Sequence, residues 1–122
     1  MLSLKGEIIV NSVMLVGRLA HDIDVKTLDS GKEVTRVSLA VNRPFKNQDG
    51  IYDVDYFDCV LWDGLAKNTG EYCKKGDTVG VKGRLQTSIY EKDDVKRKTV
   101  EVIVEKITFF FNSKSESKEV EV

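Results

Sequence analysis

Apolar positions recur at two spacings along this chain, and the alternation of period two dominates. Residues 8–10 and 13–19 are rich in aliphatic and β-branched side chains and end before the polar pair His21 and Asp22, which predicts a long first strand. After the turn chemistry of Asp29, Ser30 and Gly31, the apolar series Thr35, Val37, Leu39 and Val41 alternates with Arg36, Ser38 and Ala40, the period of a half-buried strand. Pro44 cannot donate a ladder hydrogen bond, so regular pairing is expected to stop there, and residues 46–50 read as an exposed loop containing a turn.

From Asp53 to Trp62 the alternation resumes, placing Tyr56, Asp58, Val60 and Trp62 on one face and Phe57, Cys59 and Leu61 on the other. The second set is wholly apolar and is the better core, which directs Tyr56 and Trp62 toward an accessible role. Asp63 then suits the cap of a short helix carrying Leu65, Ala66, Thr69, Tyr72 and Cys73 on one side. Lys74 and Lys75 fit its C-terminal dipole, Gly76 is its stop, and Gly70 weakens it. Residues 78–85 form a strand whose Gly80 and Gly83 imply a bulge or sharp coiling, and it extends through Ile89 and Tyr90. Asp93 and Asp94 make the charged tip of a long hairpin whose second arm runs over 99–107. No internal repeat is visible.

Three strands, a short helix and two strands make an all-β chain, and that order is the one of an OB-fold: a five-stranded barrel with one short helix between strands 3 and 4. The length of 122 residues suits one such domain over residues 1–111, with 1–7 as an N-terminal extension and 112–122 as a short, polar, disordered tail. The longest apolar runs fall far short of a membrane span, and the N-terminus lacks the layout of a secretory signal, so a cytoplasmic protein with no membrane partner is expected. Cys59 and Cys73 have no metal-ligand spacing and the single histidine, His21, is remote from both; free thiols are expected, with no metal site and no cofactor.

Charge does not announce a polyanionic partner. The formal net charge is −1, and the residues before Asn112 hold 17 basic and 17 acidic side chains, so any phosphate affinity must come from local clustering. Such clustering is present. Phe45, Tyr56, Trp62 and Tyr90 lie in β-type segments flanked by Arg43, Lys46, Lys82, Arg84 and Lys92. Rings spaced along a cationic groove stack bases with little regard to sequence. Taken singly, each ring is better explained as buried packing than as platform; their combined placement is what points to a stacking surface.

The stretches 11–19 (NSVMLVGRL), 37–43 (VSLAVNR), 55–66 (DYFDCVLWDGLA), 71–76 (EYCKKG) and 81–87 (VKGRLQT) together resemble the bacterial-type single-stranded-DNA-binding proteins, in order and approximate spacing, over nearly the whole folded part. The resemblance implies base stacking on Phe45, Tyr56, Trp62 and Tyr90, and phosphate contacts from Arg18, Arg36, Arg43, Lys46, Lys82, Arg84 and Lys92. It also implies a homotetramer built as a dimer of dimers, which binds and protects single-stranded DNA during replication, recombination or repair without turnover. Relatives often carry Trp where this chain has Phe45, Tyr56 and Tyr90. They finish in an acidic tip with Ile-Pro-Phe, whereas this chain ends Val120, Glu121, Val122, so tail-mediated recruitment of replication and repair proteins is not expected.

Two other classes compete. Asp53, Asp55 and Asp58 suggest a nuclease metal site, but parity sends Asp58 to the opposite face, and the chain is not expected to be an enzyme. The alternative function is a dimeric OB-fold interaction module, of primosome type or RNA-binding, since a fold does not dictate its ligand.

Overall fold

The computed structural model describes residues 6–110 and 117–121. Its elements are β1 (Val13–Leu19), β2 (Lys26–Thr27), β3 (Glu33–Lys46), β4 (Tyr52–Trp62), α1 (Asp63–Tyr72), β5 (Thr78–Lys92), β6 (Val95–Phe110) and β7 (Ser117–Glu121). Strand β1 pairs antiparallel with both β3 and β5, β3 pairs with β4, and β5 with β6. A short parallel contact, Cys59 with Val102 and Val60 with Ile103, joins β4 to β6 and closes the ring. The result is a five-stranded OB-fold barrel with one helix.

Two short strands lie outside the ring. Lys26 and Thr27 pair with Val34 and Glu33, and β7 pairs with β6 between Lys106 and Phe110. The expected position of the helix between strands 3 and 4 is therefore corrected: it follows β4, because the two-residue β2 precedes it, although among the barrel strands it still connects the third to the fourth. Of the tail expected to be disordered, residues 112–116 and 122 lie outside the described residues, and Ser117–Glu121 forms β7. Of the N-terminal extension, residues 1–5 also lie outside them.

The core follows the period-two pattern. Val37 and Leu39 of β3, Cys59 and Leu61 of β4, Val79 and Val81 of β5, and Val102, Val104, Ile107 and Phe109 of β6 are buried together. Each large aliphatic or aromatic side chain so buried contributes about 1.5–3 kcal/mol relative to exposure. Helix α1 adds Leu65 and Ala66 to the same cluster, as its spacing predicts. Its ends differ from expectation. Asp63 is the first helical residue, at φ 48°, and makes no cap; its carboxylate accepts the Glu33 N–H at 3.0 Å. Lys74 and Lys75 lie beyond the last turn, where their backbone N–H groups donate to Asp77 and Asp22. Tyr72 is exposed at its edge while its ring meets Phe109 at 6.0 Å.

The bulge implied by the glycines of the fourth barrel strand occurs between Lys82 and Gly83. A Cβ at Gly83 would land on the carbonyl of Ile103, so only glycine lets β5 and β6 approach there. Among the described residues, no helix is long and apolar enough to cross a membrane.

Candidate nucleic-acid interface

Directly opposed residues in antiparallel strands share a face, so the register decides what stands beside Tyr56. Arg18 of β1 opposes Ala40 of β3, and Ala40 opposes Tyr56 of β4. One ring and one guanidinium thus flank a small residue, two strand spacings or roughly 10 Å apart. Tyr56 is 65% exposed. With Val16, Asn42 and Val54 these residues line an open groove of about 450 Å³.

The same face of β4 continues through Val54 to Tyr52, which is 48% exposed and opposes Lys46. The Lys46 ammonium lies 5.7 Å from the Tyr52 ring centroid, within cation–π range. Tyr52 is an aromatic that the sequence reading missed, although it is four residues before Tyr56 at the same parity. Phe45, 65% exposed, belongs to the three residues 43–45 that oppose Asp53 where the ladder shifts.

Toward the other end of β4 the face is less open than parity alone suggests. Val60 is only 1% exposed and Trp62 is half-buried. Arg36 of β3 reaches past β4 to Glu101 of β6, Nε to Oε2 at 3.0 Å, crossing the middle strand beside Val60. The charge of Arg36 is thereby matched by a carboxylate.

The β5–β6 hairpin gathers the remaining candidates. Arg84, Tyr90 and Lys92 alternate onto one face, and Arg97, which the sequence reading also missed, opposes Tyr90. Tyr90 is exposed, and Arg84 donates from Nη1 to Gln86 at 3.0 Å. Lys82 opposes Met14 of β1 and Lys106 of β6. Among the described residues, Arg18, Lys82, Arg84, Lys92 and Arg97 form no ion pair. At the hairpin tip Asp93 and Asp94 both have positive φ, 53° and 62°, the mirror-image turn that matches strand twist in a two-residue connection.

Arg43 is differently placed. Its Nε meets both Asp55 oxygens at 3.2 and 3.1 Å, its Nη2 meets Asp55 Oδ1 at 3.0 Å, and its Nη1 is 3.8 Å from Asp53. The Asp55 carboxyl is held below the usual carboxylate range, first by this hydrogen bond, and the Arg43 guanidinium is raised in turn. Asp53 and Asp55, two of the three aspartates that suggested a nuclease, are thus paired with an arginine, and the third, Asp58, opposes Ser38 on the other face of β4. Among the described residues, no group of three or more His, Cys, Asp or Glu could hold a metal. Both cysteines are free; burial, then Asp58, pushes the Cys59 thiol up to about 12, and burial, then Asp77, takes Cys73 to about 11.

Residues 10–110 match the Single-strand binding protein family. The chain belongs to this family. It is 47% identical over 100 residues to Single-stranded DNA-binding protein B of Bacillus subtilis, covering 81% of this chain and 88% of the relative. To the Single-stranded DNA-binding protein of Bacillus cereus it is 46% identical over 101 residues, covering 82% of this chain and 59% of the relative. With Single-stranded DNA-binding protein 3 of Listeria innocua the identity is 44% over 105 residues, covering 86% and 66%. It therefore spans less than two thirds of some relatives' length. As a member of the single-strand binding family the chain is a binding protein and not an enzyme.

Proposed function

We infer that this chain binds single-stranded DNA without sequence specificity, by stacking bases on Tyr56, Tyr52, Phe45, Trp62 and Tyr90 and pairing phosphates with Arg18, Lys46, Lys82, Arg84 and Lys92. The observation that carries this reading is the row Arg18–Ala40–Tyr56, an exposed ring and a cation with no ion-pair partner among the described residues across one open groove. Exposing tyrosines beside cations gains nothing for folding, whereas a stacking platform requires it. Tyr56 serves as platform because Ala40 leaves its ring uncovered, and Arg18 supplies a charge at a distance that separates a base from its phosphate. Arg36 enters only by exchanging Glu101 for a phosphate.

In this reading the protein coats strands stoichiometrically in the cytoplasm and keeps them from reannealing or nuclease attack during replication, recombination or repair, with no nucleotide cofactor. It acts as a homotetramer. Met14, Val16 and Phe110, all exposed, line a groove of about 360 Å³ across β1, β5 and β6, apolar surface that a second copy would cover.

Titration of oligo-dT tests the proposal, read by fluorescence of Trp62, the only tryptophan, and by light scattering for subunit number. The expected result is a complex at low salt that weakens with a slope of about −0.7 in log affinity against log salt per neutralised phosphate. Absence of any complex at low salt would overturn it and favour an OB-fold module that serves only protein or RNA partners.

A further inference from the structure

The arm formed by the ends of β3 and β4 carries Phe45, Lys46 and Tyr52, yet its backbone ladder is broken at the base. Pairing runs regularly to Asn42 opposite Val54 and resumes only at Lys46 opposite Tyr52, so residues 43–45 face Asp53 alone, and Pro44 has no N–H to donate. Such a break makes a hinge unless other bonds bridge it.

A chain of polar contacts crosses it. Asp55 holds the Arg43 fork with both carboxylate oxygens; Arg43 also approaches Asp53; Asn47 Nδ2 donates to Asp53 Oδ1 at 3.2 Å. Asn47 Oδ1 in turn accepts the backbone N–H groups of Asp49 and Ile51 at 2.9 and 3.0 Å, closing the loop. Asp55 opposes Val41, at the core parity, whereas Tyr56 opposes Ala40 on the outer face. The contacts therefore run along the reverse of the surface that carries Tyr52 and Tyr56, and one cation between two carboxylates leaves that side negative.

We propose that Arg43, Asp55, Asp53 and Asn47 are a positioning spine that sets the angle of the arm bearing Phe45, Lys46 and Tyr52, and that Arg43 makes no phosphate contact. This rests on the reading that the chain binds single-stranded DNA. An isolated exposed ion pair does little, but a two-pronged Arg–carboxylate contact continued into a network fixes geometry.

The test compares Arg43→Gln, Arg43→Lys and Asp55→Asn in the full chain, each titrated with oligo-dT over a salt series, with amide hydrogen exchange at Gly50 and Ile51. All three variants are expected to bind about threefold to tenfold more weakly. Their salt slopes should equal that of the unaltered chain, and exchange at the loop should quicken. Lysine should not rescue, because an ammonium cannot reproduce the planar fork. A slope reduced by about 0.7 in Arg43→Gln would make Arg43 a phosphate contact and overturn the proposal. Tighter binding by Asp55→Asn, or full affinity in Arg43→Lys, would overturn it too. Failure of the unaltered chain to bind would sink the binding reading instead, and loop exchange would still decide whether the spine orders the arm.

Discussion

The side-chain amide of Asn11 bonds the backbone of Leu85 in both directions, its Oδ1 accepting the Leu85 N–H at 2.9 Å and its Nδ2 donating to the Leu85 carbonyl at 2.8 Å. Two residues past the last β1–β5 backbone pair, Val13 with Gly83, a side chain has taken over the pairing that the main chain gives up. The bond spans 74 positions and ties the entry of the barrel to its longest hairpin. Asn11→Ala is expected to cost about 1–2 kcal/mol, and Asn11→Asp, which keeps the acceptor but sets a carboxylate oxygen against the Leu85 carbonyl, at least as much. Urea unfolding measures both; equal stability of all three proteins would show that water replaces the amide.

Asp93 and Asp94 occupy left-handed backbone that aspartate tolerates and glycine prefers. Replacing the pair by Asn-Gly, the sequence that favours this turn, should stabilise the fold by about 1 kcal/mol and remove two carboxylates from the tip next to Lys92. Thermal unfolding reads the first effect. Tighter oligo-dT binding at low salt reads the second, since lowering negative charge near a cationic strand raises phosphate attraction.

Strand parity carried most of what could be read in advance. Val37, Leu39, Cys59 and Leu61 are buried because alternation sends them inward, and Tyr56 is open for the same reason. Parity is a property of one strand, however, and three features depend on two or more. The parallel seam between β4 and β6 brings Glu101 within reach of Arg36 from 65 positions away, and no spacing within either segment announces that. The same seam puts Ile103 beside Val60, which is buried although it lies on the face that Tyr56 exposes. Arg43 stands beside Phe45 and Lys46 in the chain, and only the ladder shift after Asn42 shows that its guanidinium meets Asp55. Tyr52 and Arg97 were legible by the same rules and were overlooked, the first behind a loop and the second across a hairpin.

The buried Cys59 thiol and the half-buried Cys73 thiol set a limit on alkaline stability. Unfolded, each titrates near its ordinary value of 9.0; folded, Cys59 keeps its proton to about 12 and Cys73 to about 11. Above the ordinary value the unfolded chain therefore binds fewer protons than the folded one, so stability is fully present below about pH 9 and falls as pH rises toward the folded values. Urea midpoints measured on both sides of pH 9 should be flat below it and decline above, and Cys59→Ala should flatten the decline. In the native state near pH 8, Cys59 should resist thiol-specific reagents until urea is added. Fast native labelling at Cys59 would contradict its burial.

Tyr52 provides the sharpest check on the proposed stacking face. Four residues of extended strand put it roughly 13 Å from Tyr56, too far for one base to touch both rings, so each must hold its own. Tyr52→Ala is expected to weaken oligo-dT binding by about 1–3 kcal/mol, and Tyr52→Phe far less, because the ring and not the hydroxyl does the stacking. Sites at that separation lose affinity additively, so Tyr52→Ala with Tyr56→Ala should lose the sum of the two. Tyr72 is the control: it is as exposed as Tyr52, at 47% against 48%, but its ring lies against Phe109 beside the helix, outside the groove. Tyr72→Leu should leave affinity unchanged. If Tyr72→Leu weakened binding as much as Tyr52→Ala, exposure of any ring would be enough, and the face built on β3 and β4 would lose its claim to the strand.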